Sequence, residues 1–320
     1  MLALSDVSFH GSGLVRPESV IVSRAGEVFT ADFRGGVAAL APDGSHRLIA
    51  GRTSDLPQGL KPNGIAFEPD GSFIIAHLGA EEGGVFRLSR DGQATPLLRE
   101  VDGVALPPTN YALRDLHSRL WVTVSTRLMP RDRDWTPRAA SGFIALVDER
   151  GARIVADGLG YTNECLPSRD GRHLYVNETY TRRLSRFPVA ADGSLGPKEV
   201  LHEFAPGEFP DGLAFDAEGQ VWVTAIVANR LLRLDPATGR VRCMLDGGDP
   251  AHVARIAAAC EAGTLTSADM AQAHSPLANV SSLAFAGPGR REAWLGCLLA
   301  DRIMRVKMPV AGHPPPHWAW

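Results

Sequence analysis

Six residues spaced along the chain carry side-chain oxygens at the heads of six similar segments. They are Glu18, Asn63, Asn110, Asn163, Asp211 and Ser281. Two are acids, three are amides and one is an alcohol; none is His or Cys. Brought together, such a set suits a hard cation, since Ca2+ takes about six to eight oxygen ligands in a flexible shell. Zinc and copper sites draw instead on His and Cys. Any one of these residues could serve only to fasten a strand start through an Asx-type hydrogen bond. Six in register, two of them acids, point to a shared ion. Asp211 poses the question most sharply: it opens the apolar stretch "DGLAFDAEGQVWV", where a lone buried carboxylate is costly unless a cation compensates it.

The elements that must position these residues are repeated hairpins. The segments 18–33, 63–78, 110–125, 163–178, 211–226 and 281–297 share one layout. A polar residue opens a short apolar strand, a turn follows, and a second strand rich in Val, Trp, Phe and Ile runs back. The turn carries Gly26, Gly71, Gly171, Gly219 and Gly289 at one shared position, with Ser118 in the third copy. Glycine suits a turn that needs positive φ. Third strands follow, among them "GGVAALAPDG", "GGVFRLSRDG" and "NRLLRLDPATG". The repeat starts lie 45, 47, 53, 48 and 70 residues apart. A period of ~40–50 residues with about four strands each predicts propeller blades. The expected fold is all-β: one six-bladed β-propeller domain over 1–320, with four-stranded blades and the ring closed by the N-terminal strand around Ala3–His10. Two insertions interrupt it, at about 126–141 and 246–278. The second contains "AHVARIAAACEAG", a helical stretch that Gly263 could stop.

In a propeller the innermost strands line a central channel, so the six oxygens form a ring at its top. The second strand of each hairpin returns to the same face, which brings His77, Arg127 and Glu178 towards the rim. The chain has 320 residues with formal net charge −3. Neither sign dominates, so nucleic acid, membrane and protein partners are not expected, and a small molecule is. The start "MLALSDVSFHGSG" does not read as a secretory signal and no apolar run reaches ~18 residues, so the expected location is cytoplasmic. Four cysteines without CxxC spacing are expected to be reduced thiols packed in the core. There is no GxSxG and no P-loop.

The stretches "PNGIAFEPDG", "TNECLPSRDGRHLYVNET" and "FPDGLAFDAEGQVWVT" resemble the gluconolactonase, senescence-marker-protein and luciferin-regenerating-enzyme family of calcium-dependent six-bladed propellers. "RPESV" resembles its first-blade acid motif. The resemblance covers essentially the whole chain and implies metal ligands at Glu18, Asn163 and Asp211, with Asn110 binding metal or substrate. It also implies a Ca2+-dependent hydrolase that opens a lactone or related ester, other divalent cations being possible. The cation would polarise the carbonyl while Asp211 activates water, with Asn110 as the second catalytic residue. Substrate contacts or supporting positions are expected at Asn63, Ser281, His77, Tyr111, Arg127, Glu164 and Glu178. In "LPPTNYALRD", Pro108 stands where sugar-lactone members carry an arginine, and Tyr111–Ala112 where they carry Asp-Gly. That predicts a substrate less polar than a sugar lactone. Glu164 stands where the family has glycine. Two other readings stay open: a phosphotriester hydrolase on the same site, and a non-catalytic small-molecule-binding propeller with a structural cation.

Overall fold

Each predicted hairpin forms the inner half of a four-stranded antiparallel sheet, and six such sheets make a β-propeller. The computed structural model describes residues 1–319. The inner strands are Val20–Val22, Pro62–Phe67, Thr109–Arg114, Thr162–Pro167, Glu208–Phe215 and Val280–Ala286. Each packs against the inner strand of the next blade, and the sixth packs back on the first. The sixth blade is completed from the other end of the chain. Ser8–His10 pairs with Ile303–Lys307, with Phe9 opposite Met304. Sequence-distant strands thus close the ring.

Burial follows radial position. The second strands are covered on both faces by neighbouring blades. Every residue of Phe73–His77, Leu120–Val124 and Val221–Val227 is buried. That is why these segments read as continuous Val, Ile and Trp rather than as an alternating pattern. The outermost strands, such as Gly151–Leu159 and Glu199–Glu203, are largely in contact with solvent. Between blades lie fully buried anchors, Trp121 and Trp222. Each indole donates to a hairpin aspartate at 2.9 Å, Asp115 and Asp216 respectively. The same carboxylates take two turn N–H groups and an arginine, Arg119 or Arg233. One side chain therefore fixes both the turn and the core indole.

All six hairpin turns use a left-handed residue at the shared position. Gly26, Gly71, Gly171, Gly219 and Gly289 have φ between 64° and 89°, and Ser118 is held at φ 60°. The serine adopts what the glycines adopt freely. The second insertion forms a helix, α1, over Pro250–Ala262. Asp249 caps its start and Gly263, at φ 69°, ends it. Among the described residues no helix is long and apolar enough to cross a membrane. Cys165, Cys243, Cys260 and Cys297 are free thiols.

Candidate functional site

A break in the strand ladder places each ring residue. In five blades the pairing of the first two strands slips at that residue: Asn63 lies between the pairs Pro62–His77 and Ile65–Ile75, and Asp211 between Pro210–Ala225 and Leu213–Val223. Asn110, Asn163 and Ser281 sit at equivalent slips. In the first blade Glu18 precedes its strand altogether. A residue freed from the ladder can turn its side chain along the channel instead of into a blade core. The inner strands crowd together here. A Cβ on Gly212 would lie 2.5 Å from the Ser281 carbonyl oxygen, which explains the glycine after Asp211. All six ring residues are buried, from 1% exposed at Asn63 and Ser281 to 6% at Glu18.

Hydrogen bonds divide the ring into braces and free oxygens. Ser281 Oγ donates to the Glu18 carbonyl at 2.7 Å and ties the sixth blade to the first. Asn63 Nδ2 donates to Glu18 Oε1 at 2.5 Å and to the Asn110 carbonyl at 2.9 Å. Thr179 Oγ1 donates to the Pro210 carbonyl at 2.9 Å, so it can only accept from Asn163 Nδ2 at 3.0 Å. That fixes the amide of Asn163 and leaves its Oδ1 free. Asn110 Oδ1, Asn163 Oδ1 and Glu18 Oε2 are buried oxygens without a hydrogen bond. Glu18 Oε2 has only an ion pair with Arg16.

The electrostatics have one sign. Burial pushes the Asp211 carboxyl well above the usual range, and the charges of Glu18 and Glu164 push it further. Arg16 and a hydrogen bond from Asn163 oppose this. Burial also raises Glu18, against the pull of Arg16 and Arg131. Burial moves Glu164 up to about 8, although the Leu213 N–H bonds its Oε2 at 2.8 Å. Three acids thus share a channel with too little positive charge, and a bound cation reverses that balance. Among the described residues no three His, Cys, Asp or Glu side chains form a metal-binding group of their own. A cation here would take two carboxylates, Glu18 and Asp211, and amide oxygens, Asn163 and Asn110. That all-oxygen set, with orphaned buried oxygens in it, fits a hard divalent ion.

Five further residues shape the upper face, and none is marked by the repeat. Arg16 donates to Asn63 Oδ1 at 2.7 Å and lies over Phe33, 5.2 Å from the ring centre. It stands two residues before Glu18, in the motif that drew attention for its acid alone. Arg131 arrives on the insertion after the third hairpin and lies 5.5 Å from the centre of the Tyr161 ring. Tyr161 and Tyr180 pack edge to face with centroids 4.7 Å apart. Trp135 Nε1 bonds the Tyr161 hydroxyl at 2.9 Å. Ile256 and Cys260 of α1 pack in the same apolar cluster. Arg16 and Tyr161 both adopt positive φ, at 48° and 69°, a strained backbone of the kind that gathers at functional sites.

Of the remaining expected site residues, His77 and Glu178 sit opposite Pro62 and Thr162, beside the ring. Arg127 makes a two-pronged pair with Asp157, at 2.7 and 3.0 Å, and covers Phe143. Glu178 is buried and bonded to the Gly160 N–H, Ser185 and Lys198. His77 is buried, with Nδ1 accepting the Lys61 N–H at 3.0 Å. Arg127 and Glu178 are thus taken by structural partners, whereas His77 keeps a buried Nε2 without a hydrogen bond. Tyr111 and Glu164 line a cavity of about 510 Å3 further down the channel, with Leu213, Phe215 and Leu283. The tail crosses its mouth: His317 Nε2 and Trp318 Nε1 each lie 2.9 Å from the Val22 carbonyl oxygen.

Comparison with known proteins bears on this geometry. Over 188 residues the chain is 32% identical to a 6-deoxy-6-sulfogluconolactonase of Pseudomonas putida, matching 58% of this chain and 60% of that protein. The chain therefore spans less than two thirds of that curated relative. Among solved structures, a Xanthomonas campestris gluconolactonase superposes with TM-score 0.67 at 17% identity, covering 93% of this chain and 88% of that one. An Agrobacterium tumefaciens regucalcin, described as a calcium-binding protein, superposes with TM-score 0.67 at 18% identity, covering 96% and 97%. At such identities the structures speak for the fold. Residues 50–263 match the family described as the SMP-30/gluconolactonase/LRE-like region, and the chain belongs to that family.

Proposed function

We propose that this protein is a divalent-cation-dependent hydrolase that opens a lactone or a related ester. The observation that carries the reading is the pair of orphaned amide oxygens, Asn110 Oδ1 and Asn163 Oδ1, buried with the carboxylates of Glu18 and Asp211 at the head of the channel. The relatives named as lactonases support the reaction class. Glu18, Asn163 and Asp211 would hold the ion, Ca2+ by the donor set, with Asn110 alongside. When bound, the ion supplies Lewis-acid polarisation of the ester carbonyl.

The chain's own residues do the rest. Asp211 accepts a proton from water as its oxygen bonds to the carbonyl carbon. The ring C–O bond then breaks, the leaving oxygen recovers the proton, and a hydroxy acid departs. Charge compensation by a bound cation would hold Asp211 ionised and so able to accept a proton. Asn63 and Ser281 hold Glu18 by side chain and by backbone, so the ring does not depend on a loop for its shape. Tyr161 and Tyr180 wall one side and exclude water.

The test is a pH-indicator screen of the purified protein with aldonolactones, aromatic lactones and simple esters, with and without Ca2+. The reading expects acid release that stops on chelation and returns with the ion. Absence of turnover on every compound with Ca2+, Mg2+, Mn2+ and Zn2+ contradicts it.

A further inference from the structure

We propose that the substrate carries an acidic group and that Arg131 is the residue that holds it. This rests on the hydrolase reading and adds a specificity determinant to it. Arg131 is half-buried, and its Nε is buried without a hydrogen-bond partner. Among the described residues, Arg230 is the other arginine with a buried, unbonded Nε, and Arg230 is paired with Glu208 and Asp246. Arg131 has no carboxylate partner; its one hydrogen bond is long, 3.4 Å from Nη2 to Ser125 Oγ. A guanidinium offers five donors in a fork that matches a carboxylate or a similar acid group.

The acids nearest in sequence are already engaged. Asp134 accepts from Ser141 Oγ at 2.7 Å and Asp132 from Ser267 Oγ at 3.0 Å. The second contact ties the two insertions together. Trp135 anchors the same segment to Tyr161. The segment is thus fixed at several points while Arg131, laid over Tyr161, has no acid partner among the described residues, which is preorganisation for a ligand. The charge count agrees. Among the described residues Glu18, Asp211 and Glu164 face only Arg16 and Arg131, so loading a divalent ion turns this end of the channel from net negative to net positive, and a neutral lactone would not compensate it. The sequence suggested a less polar substrate because Pro108 replaces an arginine; the structure supplies arginines from two other places.

The test compares 5-oxotetrahydrofuran-2-carboxylate with its neutral carboxamide, using the Ca2+-loaded protein. Wild type should prefer the carboxylate. Arg131→Gln should lower kcat/KM for the carboxylate about 10- to 150-fold, mainly through KM, the span expected for a lost charged hydrogen bond. The carboxamide should change less than about 3-fold, and Arg131→Lys should recover part of the loss. An equal loss on both compounds, or none on the carboxylate, overturns the proposal, provided that circular dichroism shows each variant folded. If wild type opens neither compound, nor any compound in the broader screen, the hydrolase reading fails first. The anion claim is then read by calorimetric titration with 2-hydroxyglutarate, the ring-opened acid. Affinity falling at least 10-fold in Arg131→Gln upholds it; unchanged affinity, or no binding to wild type, overturns it.

Discussion

Adding Ca2+ should raise the melting temperature, and removing Asp211 should abolish that rise. At a concentration 100-fold above Kd, a ligand that binds only the folded state contributes about 2.7 kcal/mol. Unfolding entropy near 2.1 cal/mol/K per residue gives about 0.67 kcal/mol/K for 320 residues, so the expected shift is about 4 °C. Asp211→Asn removes one of the two carboxylates facing the ion. A unit charge pair at about 4 Å in a medium of effective dielectric 20 is worth about 4 kcal/mol, and more against a dication. Affinity should therefore fall at least about 100-fold. At the same Ca2+ concentration about 0.4 kcal/mol remains, less than 1 °C. Without the ion the substitution should be neutral or stabilising at pH 7, for a reason of sign. The folded state raises the Asp211 carboxyl above its unfolded value, so this group opposes folding once pH exceeds the unfolded carboxyl range, and an amide removes that cost. Arg16→Gln should strengthen ion binding, since Arg16 competes for Glu18 and Asn63. Differential scanning fluorimetry across a Ca2+ titration reads all three. A shift of equal size in Asp211→Asn, or none in wild type with Ca2+, Mg2+ or Mn2+ at about 5 mM, refutes the reasoning.

Two predictions concern the scaffold. His77 Nδ1 accepts a backbone N–H, so protonating the ring breaks that bond; burial, with Arg99 and Lys61 nearby, lowers its pKa to about 4. The folded value lies below the unfolded one, so its contribution is complete above pH 6.5 and is lost as pH falls towards 4. His77→Gln should flatten the acid limb of the stability profile by about 2 kcal/mol in urea titrations; an unchanged limb counts against it. Ser118→Gly, which relieves a left-handed serine, should raise stability by about 1 kcal/mol, and a loss of that size would show the serine to be favoured there.

Much of the fold was legible because repetition multiplies weak signals. One turn glycine says little, whereas five at a common position, with the same apolar strands around them, fix the hairpin and its period. Ser118 broke the pattern in sequence but not in conformation. The ring oxygens were legible for the same reason, since each heads a repeat. What escaped notice came from segments that do not repeat. Arg16 sits just before the first strand, and Arg131 is one of four arginines in the insertion 126–141, with nothing local to single it out. The aromatic wall of Trp135, Tyr161 and Tyr180 joins residues from three connections and exists only once the blades are assembled. Conversely, Arg127 and Glu178 looked reactive by type and position, yet long-range partners, Asp157 and Lys198, occupy them. Residue type reveals what a group can do, and the partner that claims it is visible only in three dimensions.

The central claim is that Asp211 works on a substrate at the head of the channel, and steady-state hydrolysis tests it most directly. The most active lactone from the screen is assayed with wild type and with Asp211→Asn, each after chelation and again at saturating Ca2+. The account predicts that wild type loses activity on chelation and regains it with the ion. It predicts that Asp211→Asn, folded by circular dichroism, stays at least about 1,000-fold below wild type in kcat even at saturating Ca2+, because the proton acceptor is gone. Normal kcat in the variant, or full activity of wild type after exhaustive chelation, would contradict it.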